Sequence, residues 1–349
     1  MDNLVSNITL SPRPYLREYT LTYKILVPTW PAIVLFGLFA NIINIVVFLK
    51  SGVKDNVTTS LLSLSVSDVT FLVLSTPSVC SFLKVFYAPD WHWPFYEFFL
   101  HDLLFWPAYT FYDFSSYISV WLGVTRCACV AMPLKFKSVF TKARTVKTIL
   151  VLFILAVGLR IPVMSVYTLM WIPDPRTNVS SVFLMPVNSE SRMRFNDIMN
   201  RISLPWITFI IMITCVCVIK VKLYQASLVR TAHTQTSSSE SKQPPDGQEA
   251  QGRSSKDLRV IQSVVLICSI FIASQFPFLV YSTVRLINPE FDVFGRLQNI
   301  FFILGGISQT CAYLNASVNI FVYCKYNSKY RSIILSMILS TSLQNLMKK

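Results

Sequence analysis

Seven long apolar runs dominate this chain, and each is long enough to cross the hydrocarbon core of a bilayer as a helix, which takes about 20 residues. Their approximate ranges are 26–49, 58–86, 98–131, 145–171, 199–224, 258–287 and 297–324. The runs are nearly continuous rather than alternating, and lipid cannot satisfy open strand edges, so helices are favoured over a β-barrel. The sequence therefore predicts an all-α membrane protein built as a seven-transmembrane helix bundle.

The composition agrees with a membrane protein and excludes an ordinary soluble domain. Of the 349 residues, 53% are hydrophobic and only 14% are charged, whereas soluble domains carry about 25% charged residues. The net charge of +14 comes from Lys and Arg residues that cluster between the runs. The positive-inside rule explains this pattern without a nucleic-acid partner, so the lipid bilayer is the expected surrounding.

The same basic residues predict the orientation of the chain. With the C-terminus in the cytoplasm, more Lys and Arg residues fall on inner loops than on outer ones, which places the N-terminus outside a plasma-membrane protein. The first 24 residues are polar and lack the apolar core of a cleaved signal peptide, so we expect the first span to act as the targeting signal. The sequons at Asn7 and Asn178 then face outward and are candidate glycosylation sites.

Three regions are expected along the chain. Residues 1–25 form an extracellular segment, and residues 26–324 form the transmembrane domain. Within that domain, residues 226–256 contain a serine cluster and Pro-Pro, which predicts a disordered third inner loop, either a plain tether or a phosphorylation site. In residues 325–349, apolar side chains at helical spacing alternate with Lys and Arg, which predicts a short amphipathic eighth helix on the cytoplasmic side, followed by a short tail.

Charged side chains at membrane depth are costly and require a reason. Isolated Asn and Ser residues in the spans are most simply hydrogen bonds between helices, but Asp68 and Asp113 must be paired or protonated, which favours a functional role. Counted along the helices from their inner ends at about 1.5 Å per residue, Asp113 and Arg160 differ in height by roughly 5 Å. We predict an ion pair between them. The alternative is that Arg160 extends to the membrane surface while Asp113 is protonated or faces a ligand.

A series of short motifs follows the spans in order. Asn41 and Asp68 stand in the first and second spans, and Thr125-Arg126-Cys127 ends the third. The later members are Pro133, Pro205, Phe271, Pro277, the stretch from Asn319 to Tyr323, and Tyr330-Arg331. Together they resemble the motifs of the rhodopsin-like (class A) G-protein-coupled receptor family across nearly the whole chain. Stretches such as TRCACVAMPLKFK and LNASVNIFVYCKYNSKYR are further similar to the chemosensory receptor group of gastropod molluscs.

The chain also departs from the family pattern at several positions. Thr125 replaces the acidic residue that normally restrains the adjacent Arg126, Gln275 replaces the sixth-helix tryptophan, and Ile320 replaces the proline of the seventh-helix motif. His101 stands where the third helix usually has a cysteine, and residues 172–196 contain no cysteine to pair with it. The family's outer disulfide is therefore not expected, and the eight cysteines are interpreted as reduced, buried small side chains.

The resemblance implies a conformational switch controlled by an extracellular ligand and read by a heterotrimeric G protein. Residues expected by resemblance to form the switch and coupling region are Thr125, Arg126, Pro133, Pro277, Asn319 and Tyr323. Residues that resemble the family's buried sodium site are Asp68, Ser115, Asn315 and Asn319, so an allosteric sodium ion is possible although no other cofactor is expected. No catalytic constellation or metal-ligand spacing is present in the sequence, so an enzyme is not expected. The alternative function is a polytopic membrane transporter or channel.

The identity of the ligand is constrained by chemistry at two positions. A retinal protein needs a lysine in the seventh helix, and residues 298–323 contain none; an amine receptor needs a carboxylate where this chain has Ala108. The expected pocket is rich in aromatic and amide groups, which suits a small chemosensory molecule or a short peptide, although these aromatics could equally serve to pack the bundle. Its candidate residues are Tyr109, Tyr112, Asp113, Phe278, Tyr281, Arg285, Gln309 and Tyr313.

Overall fold

The computed structural model describes residues 24–88, 91, 98–173, 180–187, 189–237, 247–293 and 295–346. Asn7 and Asn178, the two candidate glycosylation sites, lie outside the described residues, as does most of the segment 1–25. The described elements are the helices α1 (Thr29–Ser51), α2 (Asn56–Tyr87), α3 (Phe99–Ala131), α4 (Pro133–Val139), α5 (Lys142–Met164), α6 (Glu190–Asn196), α7 (Leu204–Ser237), α8 (Gly247–Ile287), α9 (Gln298–Ser317), α10 (Asn319–Tyr326) and α11 (Ser328–Leu346), a π-helical segment Asp197–Ser203, and the strands β1 (Tyr167–Pro173) and β2 (Ser180–Pro186).

The predicted helical bundle is confirmed. In the described part of the chain, six helical segments are each long and apolar enough to cross a membrane: Thr29–Ser51, Asn56–Tyr87, Phe99–Ala131, Lys142–Met164, Glu190–Lys222 and Val265–Ile287. The seventh predicted span is divided at Val318 into α9 and α10. These two helices still pack as one element of the bundle, because α9 contacts α1, α2 and α8, and α10 contacts α1 and α8.

Helix α3 lies at the centre of the bundle, in contact with α2, α5, α7 and α8. Its buried apolar side chains belong to two cores. Ala108 and Tyr112 join a core with Trp30 of α1 and Phe71 of α2. Further along α3, Ile118 and Leu122 join a second core with α1, α2, α5, α8, α10 and α11. The outward face of α5 carries exposed apolar side chains (Val151, Ile154 and Ile161), as expected for a surface that meets lipid.

Pro205 lies just after an irregular, π-helical segment of the fifth span. Pro205 has no backbone N–H and cannot donate to the carbonyl of Arg201 four residues earlier. The turn before it, Asp197–Ser203, is π-helical, so the chain is wider there than in an α-helix. This segment was not predicted from the sequence. It matters because it sets the directions of Asn200 and Arg201.

The predicted fourth run, 145–171, is too long at its end. Helix α5 stops at Met164, just after Pro162, and Tyr167–Pro173 pairs instead with Ser180–Pro186 as an antiparallel hairpin. No strand was predicted there, because Tyr-Thr-Leu-Met-Trp-Ile is as apolar as a span. The Trp106 indole Nε1 donates to the Tyr167 hydroxyl at 3.3 Å, which attaches the hairpin to α3. All eight cysteines of the chain are free, as expected, but only Cys215 and Cys268 are buried, so the expectation that all eight are buried is wrong.

Arg192, at the start of the fifth span, also secures the hairpin. Its Nη1 donates to the Ser165 carbonyl at 2.7 Å and its Nη2 to the Val187 carbonyl at 2.9 Å. One guanidinium thus joins the chain just before β1 to the chain just after β2. This contact ties both ends of the hairpin to the start of the fifth span.

The segment after the last span forms the expected amphipathic helix, α11. Tyr330 is buried, and its hydroxyl donates to Asn44 Oδ1 of α1 at 2.5 Å. Lys329 Nζ donates to the Ser51 carbonyl at 2.8 Å. The apolar side chains of Leu335, Ile338 and Leu339 are exposed, which is the arrangement of a helix that lies on a membrane surface. Of the predicted loop 226–256, residues 226–237 continue α7, residues 247–256 begin α8, and residues 238–246 lie outside the described residues.

Candidate functional site

A cavity of about 230 Å³ lies in the half of the bundle that carries the hairpin, between α1, α2, α3, α5, the π-helical segment, α8 and α9. Five of the eight predicted ligand residues line it: Tyr109, Phe278, Tyr281, Gln309 and Tyr313. The Tyr109 hydroxyl donates to Gln309 Oε1 at 2.6 Å, so α3 and α9 are joined across the cavity. About half of the remaining lining residues are aromatic, which gives the cavity an apolar body with a few polar groups.

The other three predicted ligand residues do not line the cavity. Tyr112 lies one turn further along α3, and its buried hydroxyl donates to Gln275 Oε1 of α8 at 2.9 Å. Asp113 is bound by Arg160. Arg285 pairs with Asp292 at 3.1 Å and lies over the ring of Phe301. Each of these polar groups has a partner within the protein.

Sequence reasoning missed several residues that line the cavity, namely Trp30, His101, Trp106, Arg160 and Arg201. Arg201 is the most informative of them, because it is a charged side chain at the outer end of the predicted fifth run. Its signal in the sequence is weak: Asp197 precedes it by four residues at the edge of an apolar run, a spacing that favours an ion pair on one helix face.

The predicted ion pair between Asp113 and Arg160 is confirmed. Arg160 Nε and Nη2 donate to Asp113 Oδ2 at 2.9 and 2.6 Å, and Nη1 donates to Asn196 Oδ1 at 2.9 Å. The guanidinium also lies over the ring of Trp106, 5.4 Å from its centroid. Asn200 completes the group by donating to Asn196 Oδ1 at 3.1 Å and to the Leu159 carbonyl at 2.9 Å. A single buried polar network therefore joins α3, α5 and the fifth span.

A second buried polar group surrounds Asp68 of α2. Its Oδ1 accepts a hydrogen bond from Ser115 of α3 at 2.6 Å, and its Oδ2 accepts one from the Asn319 amide at 3.1 Å. The fourth residue of the predicted sodium set, Asn315, instead accepts from Ser274 of α8 at 3.1 Å. Ser115 and Asn319 of the predicted set thus contact the Asp68 carboxylate directly, where α2, α3 and the seventh span meet.

The residues predicted for the switch lie at the opposite end of the bundle or lead to it. Thr125 and Arg126 are buried near the end of α3, and the Thr125 hydroxyl donates to the Leu122 carbonyl of its own helix at 2.9 Å. Pro133 begins the short helix α4. Tyr323 is buried, with its ring 5.2 Å from Phe48 and 5.7 Å from Tyr330. Asn319 connects this end to Asp68, and Pro277 lies within α8 beside the cavity residue Phe278.

The fold and the two polar groups define a class: a multi-pass helical membrane protein with a cavity at one end of the bundle and a buried core around Arg126 and Tyr323 at the other. Residues 40–323 match the family described as "7 transmembrane receptor (rhodopsin family)", so the chain belongs to that family. It is therefore a rhodopsin-family G-protein-coupled receptor, and neither an enzyme nor a transporter.

One curated relative matches part of the chain. The chain is 27% identical over 150 residues to the "Galanin-like G-protein coupled receptor npr-9" of Caenorhabditis elegans. The match covers 40% of this chain and 31% of that receptor. The chain thus spans about a third of the length of the curated relative it matches.

Proposed function

We propose that this receptor lies in the plasma membrane with its N-terminus outside, binds an extracellular ligand in the cavity, and activates a heterotrimeric G protein at the opposite, cytoplasmic end. The observation that carries the proposal is the cavity, which lies between the helices and contacts α3, α8 and α9 at once. The excess of Lys and Arg on the segments at the Arg126 end supports this orientation.

The ligand is a small chemosensory molecule or the end of a short peptide. A volume of about 230 Å³ is smaller than the usual site for a whole drug-sized ligand, so it accommodates one compact group with an apolar body. The similarity to a receptor named as galanin-like supports a peptide. The likeness of TRCACVAMPLKFK and LNASVNIFVYCKYNSKYR to gastropod chemosensory receptors supports a small chemosensory molecule.

The mechanism follows from the helices that the ligand would touch. Phe278 and Tyr281 line the cavity one and four residues after Pro277, the proline inside α8, and a proline is a usual place for a helix to bend. A ligand that contacts them better in one packing of α8 shifts the bundle toward that packing. Further along, α8 and α7 meet α3 around Gly123, three residues before Arg126, so the same helix movement would open a cleft for the G protein at that end.

The proposal is tested by a ligand screen in a cell that expresses only this receptor. Chemosensory extracts and short peptides are applied, and G-protein activation is measured. We expect a response that weakens when Gln309 is replaced by Ala, because this change removes the acceptor of Tyr109 inside the cavity. Glu190→Ala, an exposed change on the fifth span, is the control and should leave the response intact. A response equally strong in both variants would place the ligand elsewhere.

We further propose that a sodium ion binds beside Asp68 and favours the inactive packing. The carboxylate and the Ser115 hydroxyl are hard oxygen donors, which suit a small hard cation. Replacing sodium by a bulky organic cation should raise agonist affinity several-fold, and Asp68→Asn should remove this dependence. Agonist binding that is unchanged by sodium in the wild type, measured by radioligand competition, would contradict the proposal.

Signalling in the absence of ligand should be higher than in the same receptor with an acidic residue at position 125, because Thr125 cannot form an ion pair with Arg126. The Thr125 hydroxyl is engaged with its own helix, so it supplies no charge to hold the guanidinium in the inactive packing. A restored ion pair contributes up to about 1 kcal/mol, or about fivefold in the equilibrium between packings. Thr125→Asp should therefore lower ligand-free G-protein activation at matched surface expression, whereas Thr125→Ser should leave it unchanged. An equal or higher basal signal in Thr125→Asp would refute this explanation.

A further inference from the structure

The walls of the cavity carry an imbalance of charge. Two guanidinium groups, those of Arg160 and Arg201, line it, and among the described residues its lining contains no Asp or Glu. A cation that faces a low-dielectric cavity attracts an anion much more strongly than it would in water. The two arginines differ in how firmly other residues of the protein hold them.

Arg160 is already committed to the protein. Three of its nitrogens donate to Asp113 and Asn196 at 2.6 to 2.9 Å, and the group lies over Trp106. Its side chain is only 2% exposed. A ligand that recruited Arg160 would have to strand the Asp113 carboxylate, which makes this arginine a structural cation.

Arg201 is held much more loosely. Its ion pair among the described residues is one contact of 3.3 Å, from Nη1 to Asp197 Oδ1, and the Asp197 side chain is 41% exposed. Such an i,i+4 pair with an exposed partner is weak. The guanidinium lies 5.7 Å from the centroid of the Tyr281 ring, which holds it at the cavity wall. A guanidinium has five N–H donors in a planar fork, so a second, bidentate anion can bind without loss of the Tyr281 contact.

We propose that Arg201 is the anion receptor of this cavity and that the ligand carries a carboxylate next to an aromatic or bulky apolar group. This inference rests on the proposed function, whose ligand class it narrows. The carboxylate binds the Arg201 fork, and the apolar group lies among Tyr109, Tyr281 and Phe301. Both a small aromatic acid and the C-terminal residue of a peptide with a free carboxylate present this chemistry.

The test uses purified receptor and matched probe pairs. The first pair is 3-phenylpropanoate and 3-phenylpropanamide, and the second is alanyl-phenylalanine and its C-terminal amide. Binding is measured as the concentration-dependent rise in the thermal unfolding midpoint. We expect each acid to bind at least about tenfold more tightly than its amide, because the bidentate charge-assisted hydrogen bonds are lost in the amide. A preference for the first pair over the second would identify a small acid, and the reverse a peptide end.

Variants of the ion pair make the test specific to Arg201. Arg201→Gln should abolish the preference for acids, whereas Arg194→Gln, the same change at an exposed residue outside the cavity lining, should retain it. Asp197→Asn removes the competing carboxylate and should strengthen acid binding several-fold. This variant keeps the inference testable even if Arg201→Gln does not fold.

The possible outcomes separate this inference from the proposed function. Acids that bind no better than amides, a preference that survives in Arg201→Gln, or no binding by any acid would overturn the role of Arg201. Acids that bind through Arg201 but never activate a G protein in cells would support the anion site and contradict the proposed signalling. Strong signalling by uncharged ligands that is unaffected by Arg201→Gln would support the proposed signalling and contradict the anion site.

Discussion

Asp113→Asn should destabilise the receptor by about 3–5 kcal/mol, because it leaves the Arg160 guanidinium buried without its counter-charge. Arg160 is 2% exposed and donates twice to the same carboxylate oxygen, so water cannot replace the lost partner. Arg160→Gln should be similarly harmful. The double variant should be less damaged than the sum of the two single variants, because it strands no charge.

The measurement is the thermal unfolding midpoint of purified receptor together with the amount that reaches the cell surface. The ion pair between Arg285 and Asp292 provides a matched control, since its side chains are 29% and 42% exposed. Asp292→Asn should cost at most about 1 kcal/mol. A double variant as damaged as the sum of the single variants would mean that Asp113 and Arg160 are not coupled.

Gly37→Ala should also destabilise the bundle strongly, by about 1–3 kcal/mol, through overpacking. A Cβ at Gly37 would lie 2.2 Å from Ser317 Oγ and 2.7 Å from Leu72 Cδ1, where α1, α2 and α9 meet. Ser317 can move only by giving up its hydrogen bonds to the Tyr313 and Ile33 carbonyls, at 2.7 and 3.2 Å. Leu72 is fully buried and has no space to enter.

Gly158 on α5 is the natural control for this prediction. A Cβ there meets nothing within 4 Å, so Gly158→Ala should stabilise α5 by up to about 1 kcal/mol through helix propensity. Both variants are compared by thermal unfolding of purified receptor. Adding Ser317→Ala to Gly37→Ala should recover part of the loss. Equal behaviour of the two glycine variants would show that the close approach of α1 to α9 is absent.

The spans could be predicted from the sequence because, in the hydrocarbon core of a bilayer, every backbone N–H and C=O group of a run must be paired within the protein, and a helix meets this requirement. The ion pair between Asp113 and Arg160 could be predicted for a related reason: both charges lie deep in apolar runs, and helical rise gives their heights. What the pattern lacks is the direction in which each side chain points. Tyr112 shares a helix face with Tyr109 but lies one turn, about 5 Å, further along α3, and bonds to Gln275 instead of lining the cavity.

The hairpin and the π-helical segment could not be predicted for a different reason. Residues 167–171 are as apolar as the preceding span, and only the pairing with residues 182–186 makes them a strand. The π-helical turn accompanies Pro205, which is visible in the sequence, and the polar contacts of Asn200 with Leu159 and Asn196, of which the contact with Leu159 is tertiary and not visible there. Arg201 was missed as a consequence, because its direction is set by that turn.

The most direct test of the whole account is nucleotide exchange on a purified heterotrimeric G protein, catalysed by the purified receptor in lipid discs. We expect an agonist from the screen to accelerate exchange, and Gln309→Ala to weaken the agonist while leaving the maximum rate near that of the wild type. We also expect Arg126→Ala to abolish exchange without changing surface expression. An agonist that binds in the cavity without accelerating exchange on any class of G protein would contradict the central claim.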